Sequence, residues 1–429
     1  MIGILILFLI QCVAIGVCSV FGWTDIHPDL VTIQMIGFTS ILLIYIFAKK
    51  TNNKLMFGLL TMGYAARVGI MFIDIYGSSL FTILHSGDDT ERFYIRSVEY
   101  YEGNYSHFTT YYPYIIKDIY EIFGKNRLIA QYVNILCWVG VVFVVLAACK
   151  LFHVKEKCVI FIMAYLALLP NYICISSILL RESIMIFLDT WGFYLCLKWM
   201  KKKQFISLIM AFIVTFPAII LHSASIGLWV GFALIYAFWD VGTQRFAFQA
   251  KTIFVLLLGI AAIILLNFSS YRNLIMAYLP TNLSIESITS KEFAAGDSDY
   301  LMNIQVNNGV ELIFWTIIRM FFFVFSPLPG STTSLKYIFA FIVDSVPTAV
   351  VIFLTIKDAY YNKKGKYVFA AYAVCLIVIG IFAWGVSNAG TAMRHRCLIV
   401  GVFAIAYCMA NEKRLIPVKM VDETKAAEE

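Results

Sequence analysis

Apolar stretches of membrane-spanning length recur along the whole chain and are separated by short polar segments. Each covers about 17–22 residues, enough for an α-helix to cross a hydrocarbon core of about 30 Å. A helix satisfies its own backbone groups where no water can do so. The pattern predicts helices at 2–21, 30–48, 55–75, 128–149, 158–175, 183–200, 205–221, 224–240, 252–269, 338–356, 367–386 and 397–411. We therefore expect an all-α polytopic integral membrane protein with about 12 transmembrane helices.

The polar segments are too short to fold as a soluble domain, so residues 1–429 are predicted to form one integral membrane domain. The two longest cover about 77–127 and 270–308, and a polar tail follows from 412 to 429. Within the first, 94–105 and 112–123 carry tyrosines and apolar residues at helical spacing, which is typical of helices lying in a membrane interface. A further apolar stretch, 309–325, is interpreted as a re-entrant or surface-lying helix; the alternative is that it spans the membrane and makes the number of helices odd.

Lysine and arginine are concentrated in short clusters between apolar stretches, and the net charge is +7. This distribution is the positive-inside signature of cytoplasmic loops, and no module that binds nucleic acid is recognisable. The clusters are Lys49-Lys50, Lys155 with Lys157, Lys201 to Lys203, Lys363-Lys364 with Lys366, and Lys413-Arg414. With these clusters inside, the segments 77–127 and 270–308 are predicted to lie outside and the tail 412–429 inside.

The first outer segment contains an unusual concentration of charge for a chain that is 61% hydrophobic and 14% charged. Asp88 and Asp89 are adjacent, and Glu91 and Arg92 follow them. A carboxylate in a membrane-limited pocket can accept the proton of an attacking hydroxyl, which makes Asp88 and Asp89 candidate catalytic residues. Glu91 and Arg92 are candidates for substrate binding. A solvated turn is the alternative, since Ser-Gly-Asp-Asp also favours a turn.

Two later clusters fall on the same predicted side. Arg181 can bind phosphate oxygens while Glu182 orients it; the alternative is an ion pair that compensates itself at a helix start. Arg394, His395 and Arg396 open the final predicted helix, and positive charge outside calls for an anionic ligand, with lipid headgroups as the alternative. The two arginines can converge on one diphosphate if this segment is not yet helical. His222, in a tight outer turn, is a weaker substrate-binding candidate.

Cysteine and metal patterns add little to this picture. All ten cysteines lie in or beside apolar stretches without metal-ligand spacing, so we interpret them as small core residues. A divalent metal, Mg²⁺ or Mn²⁺, remains an open alternative at the acidic pair because carboxylates and phosphate are hard ligands. No spacing requires it, and no other cofactor is indicated.

These elements together resemble the GT-C superfamily of membrane glycosyltransferases, including enzymes similar to protein O-mannosyltransferases and lipid A aminoarabinose transferases. The resemblance follows most of the chain through short motifs: Asp88-Asp89, Tyr112-Pro113 through Tyr120 and Phe123-Gly124, Asn134, Leu180-Arg181-Glu182, and Arg394 with Arg396. Many relatives have Asp-Glu in place of the Asp-Asp pair. Many also continue into a soluble C-terminal domain, which we do not expect here because the segment 412–429 is short.

The resemblance implies transfer of a sugar from a polyprenyl-(pyro)phosphate carrier to a glycan or lipid acceptor, in surface polysaccharide biosynthesis. It implies Asp88 or Asp89 as the base and Arg181, Arg394 and Arg396 as ligands of the donor phosphate. It also implies a bacterial cytoplasmic membrane with the active site facing outward, among membrane lipids. The composition also resembles bacterial O-antigen and capsule polymerases, in which outer-loop arginines engage pyrophosphate. A transporter or flippase is the third alternative, although no internal repeat supports it.

Overall fold

The computed structural model describes residues 28–51, 53–105, 110–268, 298–301, 304, 306–329 and 335–413. It is about 80% helical with almost no sheet. In chain order the helices are α1 Pro28–Lys50, α2 Lys54–Tyr76, α3 Asp88–Tyr101, α4 Tyr112–Phe123, α5 Arg127–Leu151, α6 Glu156–Leu168, α7 Pro170–Ile175, α8 Glu182–Lys202, α9 Phe205–Leu221, α10 Ile226–Phe238, α11 Ala250–Phe268, α12 Gly309–Phe325, α13 Leu335–Tyr361, α14 Gly365–Gly385 and α15 Ala389–Ala410. Strands β1 (Trp239–Asp240) and β2 (Arg245–Phe246) form one short antiparallel pair between α10 and α11.

Long apolar helices confirm the predicted class, an all-α membrane-embedded protein. Within the described ranges six helices are long and apolar enough to cross a bilayer: α1 from Val31, α2, α5, α13, α14 and α15. The predicted total of about 12 spans and the GT-C fold stay predictions. The predicted helix 2–21, most of the segment 270–308 and the tail from 414 onward lie outside the described residues.

Capping residues set several helix boundaries at both ends of the bundle. Asn53 and Asn126 accept hydrogen bonds from the first backbone N–H groups of α2 and α5, and Asn388 does the same for α15. Such caps satisfy donors that have no partner within the helix. We call the end of the bundle where α5 and α8 begin the site end. The end where α1 and α5 terminate, at Lys50 and near Lys150, is called the lysine end.

The two interfacial helices expected in the first polar segment form as α3 and α4. They pack on each other, with the rings of Phe93 and Tyr112 5.1 Å apart. The buried side chains of each helix recur at helical spacing: Thr90, Phe93, Ser97 and Tyr100 on α3, and Tyr112, Pro113, Ile116 and Tyr120 on α4. Helix α3 begins at Asp88 rather than at Tyr94, so the acidic pair belongs to a helical first turn and not to a free loop.

The predicted helix 158–175 is broken in two, and a buried arginine stabilises the break. Pro170 follows the end of α6 and starts the short α7. The backbone carbonyls near the end of α6 therefore lack the usual helical partners. Arg67 of α2 donates to two of them, Leu166 O at 3.1 Å and Ala167 O at 3.0 Å. The interrupted chain then turns back to the site end, where α8 begins.

Helix α15 forms the centre of the bundle. Every residue from Val400 to Ala410 is buried, and the helix packs against α5, α8, α13 and α14. Its approach to α8 is so close that a Cβ atom at Gly401 would collide with the side chain of Thr190. Small residues at such crossings allow transmembrane helices to pack by direct backbone approach.

Helix α12 runs antiparallel to α14 and stops inside the bundle. Near the site end, Trp384 Nε1 donates to Thr316 Oγ1 at 2.8 Å. After the end of α12, Ser326 O accepts from Ser345 Oγ at 2.8 Å. Ser345 comes ten residues after the start of α13. Helix α13 therefore begins about 15 Å closer to the site end than the point where α12 stops. This is the geometry of a re-entrant helix, and its location in a membrane stays a prediction.

Candidate functional site

The acidic pair sits in the first turn of α3, and its two carboxylates face different surroundings. Thr90 Oγ1 bonds with the N–H of Gly87 at 3.1 Å and with its carbonyl at 2.9 Å, which fixes the helix start. Carboxylates in a first turn are also favoured by the helix dipole. Asp89 is half-buried and points into the bundle, whereas Asp88 is exposed. Only Asp89 can therefore take part in a site inside the bundle, while Asp88 faces the surroundings.

Arg394 of α15 joins two carboxylates that are far apart in the chain. Its Nε donates to Glu182 Oε1 at 2.7 Å, and its Nη1 forms an ion pair with Asp89 Oδ2. The other oxygen of Asp89 pairs with Arg92. The side-chain exposure falls from 32% at Asp89 to 13% at Arg394 and 1% at Glu182. The cluster is therefore closed toward α8 and accessible from the side of α3.

Arg181 and Glu182 retain unused hydrogen-bonding capacity at the start of α8. Arg181 donates from Nη1 to Leu221 O at 2.8 Å, but its buried Nε has no partner among the described residues. Glu182 Oε2 is likewise buried without a partner there. Buried polar atoms without partners are uncommon and costly, so they point to a place where a ligand binds.

Asn134 positions this segment from the neighbouring helix α5. Its Nδ2 donates to Ile178 O at 2.6 Å and to Leu180 O at 2.9 Å. These carbonyls lie in the bend between α7 and α8, directly before Arg181. Asn134 thus fixes the path of the backbone that presents Arg181 and Glu182.

Two histidines pack beside the ion pairs. The ring of His222 lies 5.3 Å from that of His395, and each lies 5.0 Å from the ring of Phe382. His222 Nδ1 accepts from the Ala224 N–H at 3.2 Å, so its proton is on Nε2. Burial, and then the nearby charge of Arg181, lowers the pKa of His222 to about 4. The His222 ring is therefore neutral at physiological pH.

His85, which the sequence reasoning did not select, connects the segment before α3 to this cluster. Its Nε2 lies 2.8 Å from Asn171 Oδ1, while Asn171 Nδ2 donates to Met393 O at 2.8 Å. His85 is thereby linked to the residue that precedes Arg394. Burial lowers the pKa of His85 to about 4, so it is a neutral hydrogen-bond partner. A polar residue after the helix-breaking Pro170 was the available signal for Asn171.

Asp89 is the predicted base, and its pKa is set by opposing effects. Burial raises the pKa of Asp89, but the hydrogen bond and charge of Arg394, together with Arg92, outweigh burial and lower it. Asp89 is therefore ionised at neutral pH and only weakly basic while both arginines hold it. An anion that drew Arg394 away would increase the basicity of Asp89.

Three of the ten predicted site residues lie away from this cluster. Asp88 is exposed, and Glu91 pairs with Arg127 at 2.7 Å. Arg396 is 1% exposed and forms an ion pair with Asp344, in the π-helical turn of α13 at Phe341–Ser345. Arg394 and Arg396 do not meet the condition under which they could converge on one diphosphate, namely a segment that is not yet helical. The segment is helical from Ala389 onward, and residues two apart on a helix point about 200° apart.

The remaining seven residues form what we call the site cluster: Asp89, Arg92, Arg181, Glu182, His222, Arg394 and His395. Apart from the two histidines, the three arginines and two carboxylates leave one positive charge in excess. Within the described ranges no group of three or more His, Cys, Asp or Glu side chains is placed to hold a metal ion. Arg394 holds both carboxylates, so we assign no chemical step to a metal.

No family model, curated protein or solved structure matches this chain. The chemistry of the site cluster is therefore the principal guide to function. At one end of a membrane-embedded bundle it combines a positive charge suited to an anion, a carboxylate (Asp89) whose arginine partner an anion would draw away, and two imidazoles.

Proposed function

We propose that this protein is a membrane glycosyltransferase that moves a sugar from a polyprenyl-(pyro)phosphate carrier to a glycan or lipid acceptor in surface polysaccharide biosynthesis. The observation that carries the proposal is the convergence of Asp89, Arg181, Glu182 and Arg394 at one end of an apolar helix bundle. A phosphate linked to a lipid needs both features, namely arginines for its charge and an apolar protein surface for its tail. We further propose that this end faces outward.

The proposed reaction uses the two arginines and Asp89 in turn. The (pyro)phosphate binds Arg181 and Arg394, and the guanidinium groups stabilise the negative charge that grows on the leaving oxygen. The bond between the anomeric carbon and the phosphate oxygen breaks, and the oxygen keeps the electron pair. The acceptor hydroxyl forms the new glycosidic bond, and its proton passes to Asp89. Glu182 holds Arg394 in position throughout.

An apolar cavity near the site cluster supports a lipid-linked substrate. It has a volume of about 680 Å³ and lies between α12, α13 and α14, with Met320, Ile352 and Ile379 in its wall. Ile379 is one helical turn from Phe382, whose ring contacts both site histidines. We propose that the polyprenyl chain lies in this cavity with its phosphate end toward the site cluster.

A second candidate is a polymerase that joins lipid-linked oligosaccharide repeat units. The observation that favours it is Arg181, which has no carboxylate partner at ion-pair distance among the described residues and can bind a second phosphate. A polymerase would depend mainly on Arg181 and Arg394, whereas the transferase proposal also requires Asp89. A transporter or flippase would move the substrate without forming a glycosidic bond.

The test is a gel and mass profile of surface glycans from cells that lack the gene and are complemented with variants. We expect a ladder of normal length whose units each lack one sugar. Asp89→Asn should fail to restore that sugar, while Asp88→Asn, a matched change at the exposed neighbour, should restore it. Each variant is first checked for normal insertion and yield.

Other profiles would contradict the proposal. Collapse of the ladder to a single repeat unit identifies the polymerase, and an unchanged profile contradicts both enzyme proposals. If Asp89→Asn restored the sugar fully, Asp89 could not be the base. Loss of product in Asp88→Asn would mean that the base is Asp88, which lies outside the site cluster.

A further inference from the structure

A second polar cavity lies at the lysine end, opposite the site cluster. Its volume is about 670 Å³, and it is formed where α1 and α5 end and where α2 and α6 begin. Lys50 and Lys150 lie in its wall together with His153. These residues have no part in the proposed reaction.

The positive charges of the two lysines in the cavity wall are not balanced by ion pairs within the described residues. Both are exposed, and neither forms an ion pair with any carboxylate in the part of the chain that the structure describes. One carboxylate, Glu156, lines the cavity, and its Oε1 accepts from Asn53 Nδ2 at 2.7 Å. The two lysines and this one carboxylate therefore sum to a net charge of +1, with one cation on each of two helices.

The turn after α5 holds Lys150 and His153 in a defined arrangement. The His153 N–H donates to Lys150 O at 3.2 Å, and the Val154 N–H donates to Cys149 O at 2.9 Å. His153 itself has a φ of 50°, in the left-handed region that ends helices. The cavity wall is therefore built by an ordered helix end and not by a free loop.

The deeper wall of the cavity is apolar. Met56 is buried there, and Leu146 and Val159 lie beside it, on three different helices of the bundle. A soluble anion would satisfy the lysines but would leave these apolar side chains in contact with water. A phospholipid satisfies both, since its headgroup meets the lysines while its glycerol and first acyl carbons cover the apolar wall. Basic pockets between helices are known to bind anionic headgroups in this manner.

We propose that this cavity binds the phosphate headgroup of an anionic membrane phospholipid. The lipid ties α1 and α2 to α5 and α6, and thereby stabilises the bundle at the end that lacks the Arg394 ion pairs. This inference does not depend on the proposed glycosyl transfer, and its test measures binding and stability only.

The test uses the full chain purified in detergent. Thermal unfolding is measured with added phosphatidylglycerol, with phosphatidylcholine, and with inorganic phosphate, and native mass spectrometry counts the bound lipids. We expect phosphatidylglycerol alone to raise the melting temperature, because a ligand that binds only the folded state stabilises it by mass action. Lys50→Gln with Lys150→Gln should weaken binding about 30-fold, or about 2 kcal/mol at 1.4 kcal/mol per factor of ten.

The matched control is Lys202→Gln with Lys357→Gln, which removes two exposed lysines that do not line the cavity. The control should keep the full response to phosphatidylglycerol. An equal loss in control and cavity variants would mean diffuse surface charge and would overturn the assignment. An equal response to inorganic phosphate would overturn the lipid in favour of a soluble anion, and no response to either would overturn the site.

Discussion

Arg396 and Asp344 allow a quantitative test of which arginines belong to the site. Both side chains are 1% exposed, and they pair with each other across α15 and α13. Arg396 also donates to Ser326 O at 2.8 Å and to Ser345 Oγ at 3.2 Å, while Asp344 Oδ1 has no partner among the described residues. Removal of Arg396 would leave Asp344 as an isolated buried charge. A structural role then predicts strong energetic coupling between the two positions.

The perturbation is a double-mutant cycle of Arg396→Met and Asp344→Leu. Breaking a buried pair costs about 3–5 kcal/mol, a change of roughly 100-fold to several thousand-fold in the ratio of folded to unfolded protein. Replacing both partners by apolar residues removes the isolated charge, so the double variant should lose far less than the sum of the single variants.

The assay is thermal or denaturant unfolding in detergent for the wild type, both single variants and the double variant. The glycan profile is then recorded for the stable double variant and should be normal, since Arg396 lies outside the site cluster. Additive losses would refute the coupling of the pair. A stable double variant without product would refute a purely structural role for Arg396 and would indicate that Arg396 binds the substrate.

Two further predictions concern packing and pH. Gly401→Ala should lower stability by about 1–3 kcal/mol because the new methyl group overlaps Thr190, whereas Gly259→Ala, with open space around it, should be neutral or mildly stabilising. Equal melting temperatures for the two variants would contradict the close approach of α8 and α15. The folded protein lowers the pKa of both His85 and His222 to about 4, whereas the unfolded chain has the usual value near 6.5. Their contribution to the free energy of unfolding is therefore complete above about pH 6.5 and is lost progressively as the pH falls toward 4, because the unfolded chain then binds protons that the folded protein does not. Replacing both histidines by Gln should make the melting temperature depend less on pH between 6.5 and 4. An unchanged pH dependence would contradict the lowered pKa values of these two histidines.

Local patterns predicted the helices well because their causes are local. The long apolar stretches became α1, α2, α5, α13, α14 and α15, and tyrosine-rich amphipathic spacing became α3 and α4. The break at Pro170 was missed because the apolar pattern continues across it. The proline itself was the signal, because it lacks a backbone N–H and disrupts the interior of a helix.

The site was predictable by residue type but not by partner. Arg394 and Arg396 are neighbours in sequence, yet helical geometry sends one to Asp89 and Glu182 and the other to Asp344. Asp344 was not among the predicted site residues, although it is a lone acid in an apolar stretch. An ionisable residue in such a stretch is itself a signal of a specific partner. The identity of that partner depends on tertiary packing, which one sequence does not encode locally.

The central position of α15 has a consequence for biogenesis. A ribosome makes this helix after the fourteen other described helices, yet α5, α8, α13 and α14 pack around it. Until it inserts, Glu182 lacks the arginine that neutralises it, and Asp89 lacks its link to α8. The bundle made before α15 therefore contains an acid that has not yet met the arginine with which it pairs in the finished protein, and an ionised side chain in apolar surroundings without a partner is costly. Insertion of Arg394 both completes the site cluster and removes this cost.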